Sequence, residues 1–283
     1  MTPRELLKDA SARLRNAEIP DPETDSALLL SSLTGVAPLR LRLDTDTVLS
    51  SEILKEYESL LSRRLSREPL QYILSSAVFY GRTFAVDPRV LIPRPETALL
   101  VQWALDEIKA LKAPRVLDLC CGSGCIGLTV LAERPDAVVT LSDLSPDALD
   151  VARLNAENLG LTARFLQSDL FHHIDSEPFD LIISNPPYIP SADCDTLQAE
   201  VLREPRLALD GGADGLNLYR RIAHEVRGFL APGGLLMMEL GIGEADEVEQ
   251  ILKTFGAGRV EVRPDDAGIS RMILAQFDEV QNV

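Results

Sequence analysis

This sequence of 283 residues lacks long apolar runs, cysteine pairs at metal-binding spacing and an excess of basic charge. No run approaches the roughly 18–20 apolar residues that a membrane helix needs. The amino-terminal residues alternate charge with leucine and lack the apolar core of a secretory signal. We therefore expect a cytoplasmic protein that has no membrane partner.

Basic residues are outnumbered by acidic ones, and the formal net charge is −16 at pH 7. The first 75 residues contribute only −2 of this charge, and the rest of the chain contributes −14. A surface this acidic repels phosphate backbones, because protein contacts to nucleic acid depend mainly on lysine and arginine. We expect no direct nucleic-acid substrate.

Cysteine occurs four times, and three of the four lie close together in a C-C-x3-C spacing that matches no common zinc pattern. Adjacent Cα atoms are about 3.8 Å apart, which is short of the ~4.4 Å lower limit for ordinary disulfides. We predict reduced thiols packed as small apolar groups, and no metal site. The four residues are Cys120, Cys121, Cys125 and Cys194.

The sequence pattern divides the chain into three consecutive parts. Apolar residues recur at helical spacing through residues 1–75, which predicts a small helical amino-terminal domain. Two short apolar runs at residues 77–80 and 83–86 flank Gly81-Arg82 and predict a β-hairpin within a linker over residues 76–93. Residues 94–283 form the third part.

Short β-rich runs alternate with helical patterns in this third part. Such alternation predicts right-handed βαβ units and a mostly parallel sheet, with ligands at the carboxyl ends of the strands. The last two runs leave little room for a helix between them, so we expect an antiparallel edge. The predicted strands lie at residues 116–117, 138–141, 164–166, 181–183, 235–238, 260–262 and 271–275.

A glycine loop follows the first of these strands, where Gly122, Gly124 and Gly127 match G-x-G-x-x-G. The match alone is weak, because such glycines let the backbone approach either a dinucleotide or S-adenosylmethionine. Asp143 lies 19 residues beyond Gly124, at the end of the next strand, where a carboxylate can accept both hydrogens of a ribose diol. Asp118 favours S-adenosylmethionine, because a carboxylate would repel a pyrophosphate.

A second motif, Asn185-Pro186-Pro187-Tyr188, ends an apolar strand. The Asn185 side-chain oxygen and the Pro186 carbonyl could accept the two hydrogens of a planar NH2 group, and Tyr188 could stack on its flat face. This arrangement would aim the nitrogen lone pair at a methyl group. The motif therefore predicts methylation of an amide or aryl amine nitrogen.

Together, the glycine loop, Asp143 and the Asn-Pro-Pro-Tyr motif resemble the amino-directed methyltransferases that depend on S-adenosylmethionine. Longer strings make the chain similar to one family among them, the release-factor glutamine methyltransferases (PrmC/HemK). These strings are REPLQYI (residues 67–73), VLIPRPET (90–97), EP (204–205), LDGGADGL (209–216) and YR (219–220).

The resemblance implies an α/β, Rossmann-like methyltransferase fold with a mostly parallel seven-stranded sheet and a small all-α domain that recognises the substrate. It implies methylation of the glutamine amide in the Gly-Gly-Gln motif of peptide chain release factors. The catalytic residues would be Asn185, Pro186 and Tyr188, with Pro187 also binding substrate. The implied cofactor-binding residues are Asp118, Cys120, Cys121, Gly122, Ser123, Gly124, Asp143, Asp169, Leu170 and Asn185.

The sequence departs from the family pattern at three positions. Cys120 and Cys121 stand where the loop often has glycine and threonine, and we expect altered packing there more than lost function. Ala98 stands where a second acid often follows Pro-Glu-Thr. Two alternatives stay open: an adenine or guanine amino methyltransferase acting on DNA or RNA, and a non-catalytic module that binds S-adenosylmethionine or a dinucleotide.

Overall fold

The computed structural model describes residues 1–175 and 178–277, which divide into two compact units. The first unit comprises Met1–Ser76 together with Gln198–Arg203. The second comprises Ala77–Leu197 and the chain from Glu204 onward. The sequence pattern did not assign residues 198–203 to the first unit.

The first unit is built from helices around an apolar core. Proline occupies the start of each of the first three, where its missing N–H costs nothing. Thr2 caps the first helix in a reciprocal pair with Glu5, and Ser50 caps the fourth. Sequence periodicity predicted three helical segments and missed two short helices, at residues 38–43 and 70–74. The helices are α1 (Pro3–Asn16), α2 (Pro22–Thr34), α3 (Pro38–Leu43), α4 (Ser51–Leu65) and α5 (Leu70–Leu74).

An ion-pair cluster joins residues 198–203 to this unit. Arg64 is 4% exposed, and its Nε donates to Asp25 Oδ2 at 2.7 Å. Its Nη1 donates to Glu200 Oε1 at 3.0 Å, and Arg67 donates to the same oxygen at 3.3 Å. Both arginines therefore bond the returning segment, although it lies more than 130 residues away in sequence.

The predicted hairpin is present, and it follows the helices of the first unit along the chain. Its strands are β1 (Ser76–Phe79) and β2 (Arg82–Ala85). The turn is Tyr80-Gly81, one residue earlier than expected, and both residues have positive φ angles of 48° and 73°. Paired positive φ angles are typical of the tight type I′ turn. Helix α6 (Thr97–Glu107) follows.

A seven-stranded sheet forms the centre of the second unit, and its strands are β3 (Arg115–Leu119), β4 (Val138–Asp143), β5 (Arg164–Gln167), β6 (Phe179–Ser184), β7 (Leu230–Glu239), β8 (Ala257–Pro264) and β9 (Ser270–Phe277). Their order in the sheet is β5-β4-β3-β6-β7-β9-β8. Strand β9 pairs antiparallel with both β7 and β8, while the other pairs are parallel. The predicted mostly parallel sheet with an antiparallel edge is therefore confirmed.

Helices cover both faces of this sheet, so alternate strand residues enter two separate cores. On β3, Val116 belongs to one core and Leu117 to the other. Strand order reverses between β3 and β6, and the crevice at such a point is the usual ligand site of an open α/β sheet. No helix in residues 1–175 or 178–277 is long and apolar enough to cross a membrane. The remaining helices are α7 (Cys125–Glu133), α8 (Pro146–Leu159), α9 (Asn217–Glu225) and α10 (Ala245–Thr254).

Candidate active site

A cavity of about 300 Å³ lies at the carboxyl ends of β3, β4 and β6. Most of the residues that the sequence assigned to a site form its wall. Those residues are Cys120, Cys121, Gly122, Ser123, Asp143, Asp169, Leu170, Asn185 and Pro187. Four predicted residues are outside this wall, namely Asp118, Gly124, Pro186 and Tyr188.

The two glycines of the loop have different surroundings. A Cβ atom placed on Gly122 would meet nothing within 4 Å, so the cavity side of this residue is open. A Cβ on Gly124 would lie 3.0 Å from the Leu141 side chain and 3.1 Å from Leu128. Both have positive φ angles, of 53° and 78°. Gly122 thus leaves room for a ligand, whereas Gly124 lets the loop pack on the core.

The carboxylate of Asp143 is fixed by two backbone amides. Its Oδ2 accepts from Gly122 N at 2.8 Å, and its Oδ1 accepts from Ser145 N at 2.9 Å. Burial raises the pKa of Asp143, and these hydrogen bonds oppose that rise. Each carboxylate oxygen has a further lone pair, so the fixed group can accept from a diol in the cavity.

Asp118 lies beneath the loop and is fully buried. Its Oδ2 accepts from Gly127 N at 2.8 Å, and a Cβ on Gly127 would lie 2.9 Å from it. Burial raises the pKa of Asp118 to about 7. Asp118 therefore holds the loop to the start of α7. It does not line the cavity.

The cysteines of the loop are buried or half-buried, and all four cysteines of the chain are free, as predicted. Cys120 has a φ angle of 61°, a left-handed conformation that favours glycine. Burial raises the pKa of the Cys120, Cys121 and Cys125 thiols, that of Cys125 to about 12. These thiols are neutral at pH 7 and therefore weak nucleophiles.

Asp169 and Leu170 extend the wall beyond β5. The Asp169 carboxylate accepts from Arg221 at 2.8 Å, and Arg221 also lines the cavity. Leu170 has a φ angle of 49°, and Ser168 Oγ donates to its carbonyl at 2.7 Å. This bent segment, residues 168–170, forms part of the cavity wall.

The Asn-Pro-Pro-Tyr turn is held by the glycine-rich string at residues 209–216. Ile189 N donates to Leu209 O at 2.9 Å, and Gly211 N donates back to Ile189 O at 2.8 Å. A Cβ on Gly211 would lie 2.7 Å from Tyr188 Cα, and one on Gly215 would lie 2.4 Å from Tyr188 O. Glycine is required at both positions because the two backbones are in contact.

Tyr188 contacts two residues that the sequence reasoning missed. Its hydroxyl donates to Glu239 Oε1 at 3.3 Å and accepts from Arg271 at 3.3 Å. The Arg271 guanidinium lies over the Tyr188 ring, 5.6 Å from its centroid. Glu239 follows four apolar residues at the end of β7, and a lone acid ending a buried strand was the available signal.

Two of the family-like strings meet in the second unit through a partly buried ion pair. Arg94 donates to Glu204 Oε1 at 2.5 Å, and Ile92 N donates to Glu204 Oε2 at 2.9 Å. Arg94 and Pro205 both line the cavity. The segments around residues 90–97 and 204–210 are thereby fixed along one side of the site.

Within residues 1–175 and 178–277, no three His, Cys, Asp or Glu side chains are grouped in a way that could hold a metal ion. The cavity wall combines hydrogen-bond acceptors such as Asp143 and Asn185 and apolar surface with three arginines, Arg89, Arg94 and Arg221. Such a site can bind and orient a ligand that carries a diol and an NH2 group.

Comparisons with known proteins agree with this geometry. The family model described as Methyltransferase small domain matches residues 95–213, and the PrmC N-terminal domain matches residues 5–74. The release factor glutamine methyltransferase of Deinococcus radiodurans is 40% identical over 96% of this chain and 98% of its own length. That of Geobacter sulfurreducens is also 40% identical, over 96% of this chain and 95% of its own.

Among solved structures, the hMettl16 catalytic domain in complex with MAT2A 3'UTR hairpin 6 is similar in fold, with a TM-score of 0.59 and 16% sequence identity. The similarity covers 72% of this chain and 78% of that one. The second unit therefore has the Rossmann-like fold of S-adenosylmethionine-dependent methyltransferases. At this level of identity to curated relatives over nearly its whole length, the chain belongs to the release factor glutamine methyltransferase family.

Proposed function

We propose that this chain transfers a methyl group from S-adenosylmethionine to the side-chain amide nitrogen of the glutamine in the Gly-Gly-Gln motif of peptide chain release factors. One observation carries the proposal: Asn185, at the end of β6, lines the same cavity as the open face of Gly122 and the fixed carboxylate of Asp143. A group that can accept hydrogen bonds from a substrate NH2 and a group that can accept them from a ribose diol thus lie in a single site.

The residues present fit S-adenosylmethionine. Gly122 has no Cβ, and the space that a Cβ would occupy is open. A ligand can therefore come close to the backbone there. Asp143 would accept from the ribose hydroxyls, and Asp169 with Leu170 would lie beside the adenine. When bound, the cofactor supplies a methyl group on a positively charged sulfur. We propose no metal for this site, because positioning and hydrogen bonding meet the needs of the reaction.

Asn185, which lines the cavity, and the adjoining Pro186, which does not, would orient the substrate amide. The Asn185 Oδ1 atom and the Pro186 carbonyl would accept the two N–H hydrogens, which directs the nitrogen lone pair towards the methyl group. Accepting hydrogen bonds favour positive charge as it develops on nitrogen. Near-attack positioning can contribute about 7–11 kcal/mol to lowering the barrier. Tyr188, whose ring has the Arg271 guanidinium over it, would cover the flat face of the amide.

The helical unit would recognise the release factor outside its Gly-Gly-Gln loop. The match of residues 5–74 to the PrmC N-terminal domain and the helical core of this unit support that assignment. Release factors act where translation ends, so we propose the cytoplasm as the compartment. The net charge of −14 after residue 75 disfavours a nucleic-acid substrate.

Methyl transfer to purified components tests the proposal. The protein is incubated with labelled S-adenosylmethionine and, in separate reactions, with a peptide chain release factor, ribosomal RNA and DNA. We expect label on the release factor alone. Label on either nucleic acid, with none on the release factor, would overturn the proposal in favour of a nucleobase amino methyltransferase.

A further inference from the structure

A chain of hydrogen bonds connects Asn185 to a buried carboxylate. Asn185 Nδ2 lies 3.5 Å from Thr97 Oγ1, and Thr97 Oγ1 donates to Glu239 Oε2 at 2.5 Å. Thr97 and Glu239 are each 1% exposed. The three residues come from the turn after β6, the start of α6 and the end of β7.

Each link in this chain has a fixed direction. Burial raises the pKa of Glu239, and the hydrogen bond from Thr97 and the charge of Arg271 oppose that rise. Beside the Arg271 guanidinium the ionised carboxylate can only accept, so Glu239 requires the single hydroxyl proton of Thr97 to point towards it. The Thr97 oxygen is then left with lone pairs, and only the NH2 end of the Asn185 amide can bond there. The Oδ1 atom is consequently directed away from Thr97 and is available as an acceptor.

Glu239 is held as an acceptor by its other neighbours. Its Oε1 lies 3.3 Å from Arg271 and 3.3 Å from the Tyr188 hydroxyl, and a guanidinium can only donate. Arg271 also donates to Leu240 O at 2.6 Å, and the Tyr219 hydroxyl donates to the Glu239 carbonyl at 2.9 Å. The carboxylate and the backbone that carries it are therefore both fixed.

We propose that Thr97 and Glu239 are positioning residues that set the orientation of the Asn185 amide and so make the site select a glutamine amide over a glutamate carboxylate. The two ends of an asparagine amide have nearly the same shape, so hydrogen bonding decides which end faces a ligand. Oδ1 suits the NH2 of glutamine, whereas Nδ2 would suit a carboxylate. This inference rests on the proposed function.

The test compares Thr97→Val, which removes the hydroxyl at nearly constant volume, with Thr97→Ser, which retains it. Thr129→Val is the matched control, because Thr129 is fully buried and its hydroxyl has no hydrogen-bond partner in the described part of the chain. For each protein we would measure kcat and KM on the release factor and the affinity for S-adenosylhomocysteine. We would also measure inhibition by a release factor whose Gly-Gly-Gln glutamine is replaced by glutamate.

We expect Thr97→Val to lower kcat roughly tenfold, as the loss of one hydrogen bond predicts, with cofactor affinity unchanged. The preference for binding glutamine over glutamate should fall by a similar factor. Thr97→Ser should restore both quantities, and Thr129→Val should change neither. Glu239→Gln, whose amide can donate to Thr97, should also reduce the preference and gives a second test if Thr97→Val fails to fold.

A folded Thr97→Val protein that keeps the wild-type kcat and the wild-type preference would overturn the inference. A wild-type protein that binds the glutamate form equally well would also overturn it, whereas a wild-type protein that fails to methylate the release factor would contradict the proposed function instead. The two failures are therefore distinguishable.

Discussion

The backbone amide of Gly122 donates to Asp143 Oδ2 at 2.8 Å, which ties the glycine loop to the end of β4. The residue that leaves open space for a ligand thus also orients the carboxylate proposed to bind that ligand. A change at either residue should therefore affect the other.

Replacing Asp143 tests the proposed cofactor site. Asp143→Ala should weaken binding of S-adenosylhomocysteine by about 1.5–3 kcal/mol, because hydrogen bonds to a charged group are lost. Isothermal titration calorimetry measures this affinity. The control is Asp147→Ala, in the first turn of α8, where the side chain is exposed. If Asp143→Ala binds as tightly as this control, Asp143 does not contact the cofactor.

Asn185→Ala separates catalysis from cofactor binding. The proposed contact of Asn185 is to the reacting amide and strengthens in the transition state, so the single-turnover rate should fall far more than the cofactor affinity does. Asn158→Ala, on the exposed face of α8, should leave both quantities unchanged. A single-turnover rate close to that of the wild type for Asn185→Ala would mean that the turn is only structural.

Asp118 should make stability depend on pH. Its pKa is about 7 in the folded protein, compared with an ordinary value of 3.8, so between these values the folded state retains a proton that the unfolded chain releases. Its contribution is therefore complete below pH 3.8 and is lost as pH rises through 7, by an amount on the order of a few kcal/mol.

Urea unfolding of the wild type and of Asp118→Asn, from pH 4 to pH 8, measures this contribution. The wild type should lose stability relative to the variant as the pH rises. A difference between the two proteins that stays constant with pH would show that the Asp118 carboxyl titrates normally.

The first unit offers a comparison of buried and exposed ion pairs. Arg64→Ala leaves Asp25 buried without its partner and should lower the free energy of unfolding by about 3–5 kcal/mol. Arg13→Ala removes a two-bond pair with Glu58 in which both side chains are more than a third exposed, and should cost about 1 kcal/mol or less. Chemical denaturation measures both. If the two substitutions lowered the free energy of unfolding equally, burial would not be what makes the Arg64–Asp25 pair the more costly one to break.

Residues next to strand ends were predictable from the sequence. Asp143 and Asn185 each end or follow an apolar run, and parallel strands bring their carboxyl ends to one edge. The contacts of Thr97 with Asn185, of Ile92 with Glu204 and of Thr97 with Glu239 were not predicted, because each joins residues more than 85 positions apart in sequence. Only tertiary packing brings those partners together.

The buried position of Asp118 was not predicted from the sequence. Its charge and its place before the loop predicted that it contacts the ligand directly. Side chains alternate along a strand, so Asp118 lies on the same face of β3 as Val116 and opposite to Leu117 and Leu119. That face is covered by α7, whose Gly127 amide bonds the carboxylate.

The central claim is that the substrate atom is a glutamine amide nitrogen, and mapping of the transferred methyl group tests it most directly. A release factor is incubated with the protein and S-adenosylmethionine, and its fragments are analysed by mass spectrometry beside a variant in which the Gly-Gly-Gln glutamine is replaced by glutamate. We predict one added methyl group on that glutamine and none on the glutamate variant, because the variant lacks the NH2 hydrogens that Asn185 and Pro186 would accept. A methyl group at any other residue of the release factor, or on the glutamate variant, would contradict the account.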